Sequence, residues 1–220
     1  MKVLFIGNSY TFFNDMPTIF ENLAKENGKD LSQYSITKGG RHLYENLSEG
    51  DEYGEKIRTL VKENKFDALF LQEQSFFAIV DYDKFLYGVS ELKKLVGAKR
   101  TVLYATWGRK NGSEKLKELG LTSEEMTKKL TEAYISAAKS TDSGLSYVGT
   151  AFLKISKKLP HIDLYNPDLS HPSYFGSAVA AICHYRALFG EMPSLTNTLN
   201  LASVQKNSLL EAISEAFDEN

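Results

Sequence analysis

The chain is short of the residues that would direct it to several broad classes. It carries a single cysteine, Cys183, so no internal disulfide can form, and the composition suits a reducing compartment. Cys183 lies in the apolar stretch AVAAICHY, where a buried structural thiol is expected rather than a reactive one. No apolar run approaches the roughly 18 residues of a membrane-spanning helix, so no membrane association is expected. Neither sign of charge prevails. The formal net charge is −2 with both signs interspersed, which leaves no electrostatic footprint for nucleic acid. His42, His161 and His184 show no metal-ligand spacing, so structural or surface roles are expected for them and no metal site. The apolar run at residues 3–6 is too short for the core of a signal peptide. A cytoplasmic location is therefore expected, and a trimmed secreted form would read identically.

What is present is a run of alternating elements. At 220 residues and 42% hydrophobic content, the chain is expected to form one domain, residues 1–220, with a substantial core. Short apolar runs rich in β-branched and aromatic residues predict strands at 2–6, 31–37, 67–71, 100–106 and 145–151. Helical spacing separates them at 17–27, 43–47, 53–64, 85–96 and 123–139, the last with Ser123 as its cap. Helices at 174–189 and 201–217 follow. Residues 111–122 are polar and glycine-punctuated, and read as a mobile excursion. Such βαβ repetition predicts an α/β fold with a parallel sheet and right-handed crossovers. Ligands bind at the carboxyl edge of such sheets.

Chemistry-bearing residues fall at those strand ends. Gly7-Asn8-Ser9 follows the first strand and precedes a helix, so Ser9 is either a nucleophile or the cap of the next turn. Gly39-Gly40 ends the second strand and offers backbone N–H groups, or a plain turn. Gln72-Glu73-Gln74-Ser75 ends the third, where buried amides need partners. In the segment framed by Pro167 and Pro172, Asp168 and His171 stand three apart. That spacing lets the carboxylate take the Nδ1 proton and leave Nε2 as a base; the plainer alternative is a turn cap beside a surface histidine. Ser9 at one loop and the Asp–His pair at another could meet at one rim as nucleophile, base and orienting group.

These blocks, in this order, resemble the SGNH hydrolases, the GDSL-like esterase superfamily. Gly7-Asn8-Ser9-Tyr10-Thr11 is similar to the first block, with Asn8 where Asp is commonest. Asp168-Leu169-Ser170-His171-Pro172 is similar to the last, and Gly176 and Ala180 continue it. The resemblance implies a three-layer α/β/α, flavodoxin-like fold with a five-stranded parallel sheet in the order 2-1-3-4-5. It implies Ser9, His171 and Asp168 as catalytic residues, and an oxyanion hole from the backbone N–H groups of Ser9 and of Gly40 or Gly39. The third block departs from the usual Gly-x-Asn-Asp. Direct alignment makes Gln74 the amide donor, whereas the carbohydrate acetylesterase-like branch points to Gln72.

The activity so implied is cleavage of short acyl esters, O-acetyl groups on carbohydrate among them, without metal or other cofactor. Small-molecule or carbohydrate esters are the expected partners; the sequence fixes no oligomeric state. Tyr10, Arg41, His42 and Trp107 lie on loops near the expected rim and are candidate substrate contacts. Two rival readings remain: a flavodoxin-like module with a cofactor phosphate on the loop after the first strand, and a catalytically silent binding protein on a hydrolase fold.

Overall fold

Residues 3–7 are all buried, which a strand achieves only when helices cover both faces of its sheet. The structure, a computed structural model, describes residues 1–195 and 202–219. Five strands, β1 (Lys2–Gly7), β2 (Ser32–Thr37), β3 (Ala68–Leu71), β4 (Arg100–Tyr104) and β5 (Gly144–Ser146), form one parallel sheet in the order β2-β1-β3-β4-β5. The helices are α1 (Ser9–Phe12), α2 (Met16–Glu26), α3 (Glu52–Glu63), α4 (Phe77–Val80), α5 (Tyr82–Val96), α6 (Glu114–Leu119), α7 (Ser123–Thr141), α8 (Val148–Lys158), α9 (Tyr174–Phe189) and α10 (Ser203–Asp218). The expected fold class and strand order are those observed.

The period of two along the central strands sorts the core into two layers. Val3, Phe5, Ala68, Phe70, Val102 and Tyr104 face α2, α8, α9 and α10. Leu4, Ile6, Leu69, Leu71 and Leu103 face α3, α5 and α7. Phe5 stacks on Phe70 at 4.8 Å, and truncating such a residue to alanine costs about 3–5 kcal/mol. Helix α9 is buried almost all round, because it lies beneath α2, α8 and α10, and its sequence is accordingly apolar on every face.

Several expected boundaries shift. The fifth strand stops at Ser146, and residues 148–158, read in part as strand, form α8. The fourth ends at Tyr104 rather than 106. Residues 111–122 are no loose excursion: Ser113 caps α6, Gly120 terminates it at φ 63°, and Leu116 is buried. Thr122, not Ser123, caps α7, through a capping box with Glu125. Asp81 starts α5 three residues early, and α4 was not anticipated. Leu201, the expected start of the last helix, lies outside the described residues. Among the described residues, no helix is long and apolar enough to cross a membrane.

The strand register sets up the site. Gly7 pairs with Thr37, Ile6 with Leu71, Leu71 with Leu103, and Tyr104 with Ser146. The carboxyl ends are therefore nearly level, and the loops that follow them emerge along one edge.

Candidate active site

The β1 end is held in place by a side chain from the residue that follows the neighbouring strand β3. The buried Gln72 turns its amide oxygen toward β1, where it accepts from the Asn8 N–H at 2.9 Å and the Thr11 hydroxyl at 2.8 Å. Its amide nitrogen donates to the Glu73 carbonyl. Gly7 is required beside it, because a Cβ there would stand 2.5 Å from Thr11 Oγ1 and 2.7 Å from Gln72 Oε1. Asn8 caps α1 by accepting from Tyr10 N–H, and donates to the Arg41 carbonyl at 3.0 Å. Ser9 becomes the first residue of α1, so its N–H has no acceptor within the helix.

The imidazole of His171 arrives from the loop before α9. Its Nε2 lies 2.8 Å from Ser9 Oγ and its Nδ1 lies 2.5 Å from Asp168 Oδ2. The other Asp168 oxygen accepts from the backbone N–H groups of Ser170 and His171, both at 2.9 Å. Partial burial would raise the Asp168 carboxyl, but the His171 hydrogen bond and the two N–H groups outweigh it and hold the pKa below the usual aspartate value. Leu169 sits between them at φ 61°, a left-handed conformation that a leucine adopts only under constraint; its carbonyl accepts from Lys110 N–H and its N–H donates to Asn166.

Aromatic packing fixes the rest of the imidazole. Phe13 stacks on it, and Tyr10 meets it edge-on at 5.6 Å. Tyr10 is buried and shares a 2.7 Å hydrogen bond with Ser170 Oγ. Its burial raises the phenol pKa against the opposing effect of Ser170.

A cavity of about 180 Å³ opens beside Ser9 and His171. Gly40 lines it, in a turn closed by the Arg41 N–H on the Lys38 carbonyl, whose third residue needs the φ of 70° that Gly40 supplies. Gly39 is exposed in the same turn and is not part of the lining. Gln74 lines the cavity and Gln72 does not. The Gln74 amide oxygen accepts from Phe76 N–H at 3.4 Å, which leaves its –NH₂ as the donor.

Of the four candidate substrate contacts, only Tyr10 lines the cavity. Arg41 is turned into the fold, where it pairs with Asp51 at 2.5 Å and donates to Asn46 and the Glu45 carbonyl. Trp107 is fully buried between Tyr10, at 4.6 Å, and Phe152, at 4.2 Å, with its Nε1–H on the Ser170 carbonyl. His42 packs on Phe77 and faces the buried Glu73 carboxylate at 3.1 Å. These three support the loops rather than the cavity. Ser75, Ser170 and Arg109 line it and were not singled out in the sequence. Only Arg109 carried a signal that could have been read, a charged side chain two residues beyond Trp107 at the expected end of β4. Among the described residues, no group of three or more His, Cys, Asp or Glu is placed to hold a metal ion.

The arrangement defines a three-layer α/β/α fold whose serine and histidine meet across the carboxyl edge of the sheet. No protein-family description matches the chain, and no curated protein does. Solved structures do. A protein from Slackia heliotrinireducens, assigned to the SGNH hydrolases, is 28% identical at a TM-score of 0.73, over 86% of this chain and 98% of its own. A DUF4886 family protein from Bacteroides uniformis has a TM-score of 0.81 at 18% identity, over 99% of this chain and 94% of its own. A variant of Axe2, an acetyl-xylooligosaccharide esterase from Geobacillus, has a TM-score of 0.64 at 15% identity, over 89% of this chain and 97% of its own. The chain thus shares the fold of the SGNH, or GDSL-like, hydrolases and is similar in sequence to one protein assigned to them.

Proposed function

We propose that the protein is a serine esterase that removes short acyl groups, O-acetyl groups on carbohydrate foremost, through Ser9, His171 and Asp168. The observation that carries this reading is the continuous line from Ser9 Oγ through His171 Nε2 and Nδ1 to Asp168, at 2.8 and 2.5 Å. In the proposed cycle His171 takes the Ser9 proton as the hydroxyl oxygen attacks the ester carbonyl. The oxyanion meets the N–H groups of Ser9 and Gly40 and the amide of Gln74; one such donor is typically worth about 2.7–4 kcal/mol. His171 then protonates the leaving alcohol, and water, deprotonated by the same nitrogen, releases the acid. Asp168 keeps the proton on Nδ1 and stabilises the imidazolium.

The cavity volume of about 180 Å³, below the roughly 300–1,000 Å³ of drug-sized ligand pockets, favours a short acyl group. Carbohydrate as the alcohol is supported by the likeness to the acetyl-xylooligosaccharide esterase and to an acetyl xylan esterase. A phosphate loop after β1 has less support, because Thr11 and Asn14, the groups that would hold the anion, donate to Gln72, Pro172 and Ser177. The test is hydrolysis of p-nitrophenyl acetate and of acetylated xylo-oligosaccharides by wild type and Ser9→Ala. Wild type is expected to cleave both, and the variant neither; equal rates from the two proteins would remove Ser9 from the reaction.

A further inference from the structure

Arg109 brings to the cavity wall a positive charge that forms no ion pair among the described residues; Glu118, itself paired with Lys115, feels it only at a distance. It lines the same cavity as Ser9 and His171, and among the lining residues it is the one with a permanent charge. Its Nε is buried without a hydrogen-bond partner, and among the described residues no carboxylate pairs with it. Arg41 and Arg58, by contrast, are paired with Asp51 and Glu55. A partly buried cation without a counter-ion costs stability, so its retention at this place asks for a partner that comes and goes.

The position is also built rather than incidental. The preceding residue, Gly108, is fixed by its N–H on Thr127 Oγ1 at 2.7 Å and by Tyr165 OH on its carbonyl at 2.8 Å. The following residue, Lys110, donates its N–H to the Leu169 carbonyl at 2.9 Å, inside the turn that carries Asp168 and His171. The guanidinium carbon lies 6.0 Å from the centre of the Phe76 ring. Arg109 is thus anchored on both sides to the scaffold that holds the imidazole, and a rigid guanidinium fork matches a carboxylate in plane with two parallel hydrogen bonds.

We infer that Arg109 is a specificity-determining residue, and that the natural substrate of the esterase proposed above is an ester bearing a carboxylate close to the scissile bond. This rests on the esterase reading and adds the substrate's charge to it. The carboxylate can sit on either side of the ester, as in a half-ester of a short dicarboxylic acid or an O-acetylated sugar acid, and both present the same group to the guanidinium.

Two matched pairs test it. On the acyl side, 4-nitrophenyl hydrogen succinate is compared with 4-nitrophenyl butyrate; on the alcohol side, O-acetylated glucuronate is compared with O-acetylated glucose. Wild type is expected to prefer the charged member of at least one pair, and the responding pair identifies the side. The charged-to-neutral ratio of kcat/KM should fall about tenfold or more in Arg109→Gln, and recover in part in Arg109→Lys, as expected for loss of a charge-assisted hydrogen bond. Preference for the neutral member of both pairs by wild type overturns the inference, whether or not the variants fold. So does a smaller change of ratio in Arg109→Gln, including one in which all rates fall together, because that is the signature of a structural or general transition-state role. Failure of the esterase reading is separable: if p-nitrophenyl acetate hydrolysis is independent of Ser9, succinate and glucuronate should still raise the Tm of wild type and not of Arg109→Gln.

Discussion

The ring of Phe13 lies face to face with the imidazole of His171, at 4.2 Å between centroids and 10° between planes. Two residues brought together from opposite parts of the sequence thus hold one another flat. Hydrogen bonds to Asp168 and Ser9 fix the direction of the imidazole in its own plane, and Phe13 prevents it from tilting out of that plane.

Phe13→Leu should therefore lower kcat by about two- to tenfold, the range expected for an aromatic pair worth about 0.5–1.5 kcal/mol, with a smaller effect on KM. Phe13→Tyr should restore most of the rate. Steady-state kinetics on p-nitrophenyl acetate reads both, and a leucine variant with wild-type kcat would show that the stack does not position the base.

The two glutamines of the third loop should separate cleanly. Gln74→Ala is expected to reduce kcat about 10²- to 10³-fold with little change in Tm, as for loss of one oxyanion donor. Gln72→Ala strands the buried Asn8 N–H, and should cost about 1–3 kcal/mol of stability. Urea titrations beside kinetics distinguish the two; a large loss of kcat confined to Gln72→Ala would reverse the assignment.

Acid should expose His184. Its burial lowers the imidazole pKa to about 3, with Nδ1 on Ser146 Oγ at 2.8 Å and Nε2 unpartnered. The side chain stays neutral in the fold, but protonates near its ordinary value of about 6.5 in the unfolded chain. Unfolding consequently takes up a proton below that pH. The stability it contributes is complete above about pH 6.5 and drains away toward pH 3, at up to about 1.4 kcal/mol per pH unit. Asp168, held below its ordinary value, adds a loss only at lower pH, as its own carboxylate protonates. Measured between pH 4 and 6, unfolding free energy in His184→Asn should have a slope shallower than wild type by nearly one proton; parallel slopes would contradict the assignment.

Much of this was legible in the sequence because buried parallel strands write themselves as continuous apolar runs, and β1, β3 and β4 carry such runs. The edge strand β5 and helix α8 were not. The residues LSYVGTA look like a strand, yet only Gly144–Ser146 pairs, and the glycine that disguises the helix, Gly149, fits its first turn against the backbone of Thr106. Helix α6 is too short for its periodicity to register, though its caps at Ser113 and Gly120 were readable. In the candidate site, the meeting of Ser9, Asp168 and His171 was legible because their spacing is local or their place after a strand is fixed by topology. Arg41 and Trp107 could not be told from cavity residues, nor Arg109 recognised as one, because only tertiary packing decides which way a loop side chain turns.

Asn14 takes the left-handed conformation at φ 54° and donates to the Pro172 carbonyl at 3.0 Å and the Ser177 hydroxyl at 2.9 Å. This clasp spans more than 150 residues of chain. Translation produces the serine well before the latch that completes its surroundings, with 162 positions between Ser9 and His171. Under the proposed mechanism, a chain in which these two distant segments have not yet closed has a serine without its base, and turnover begins only with that closure.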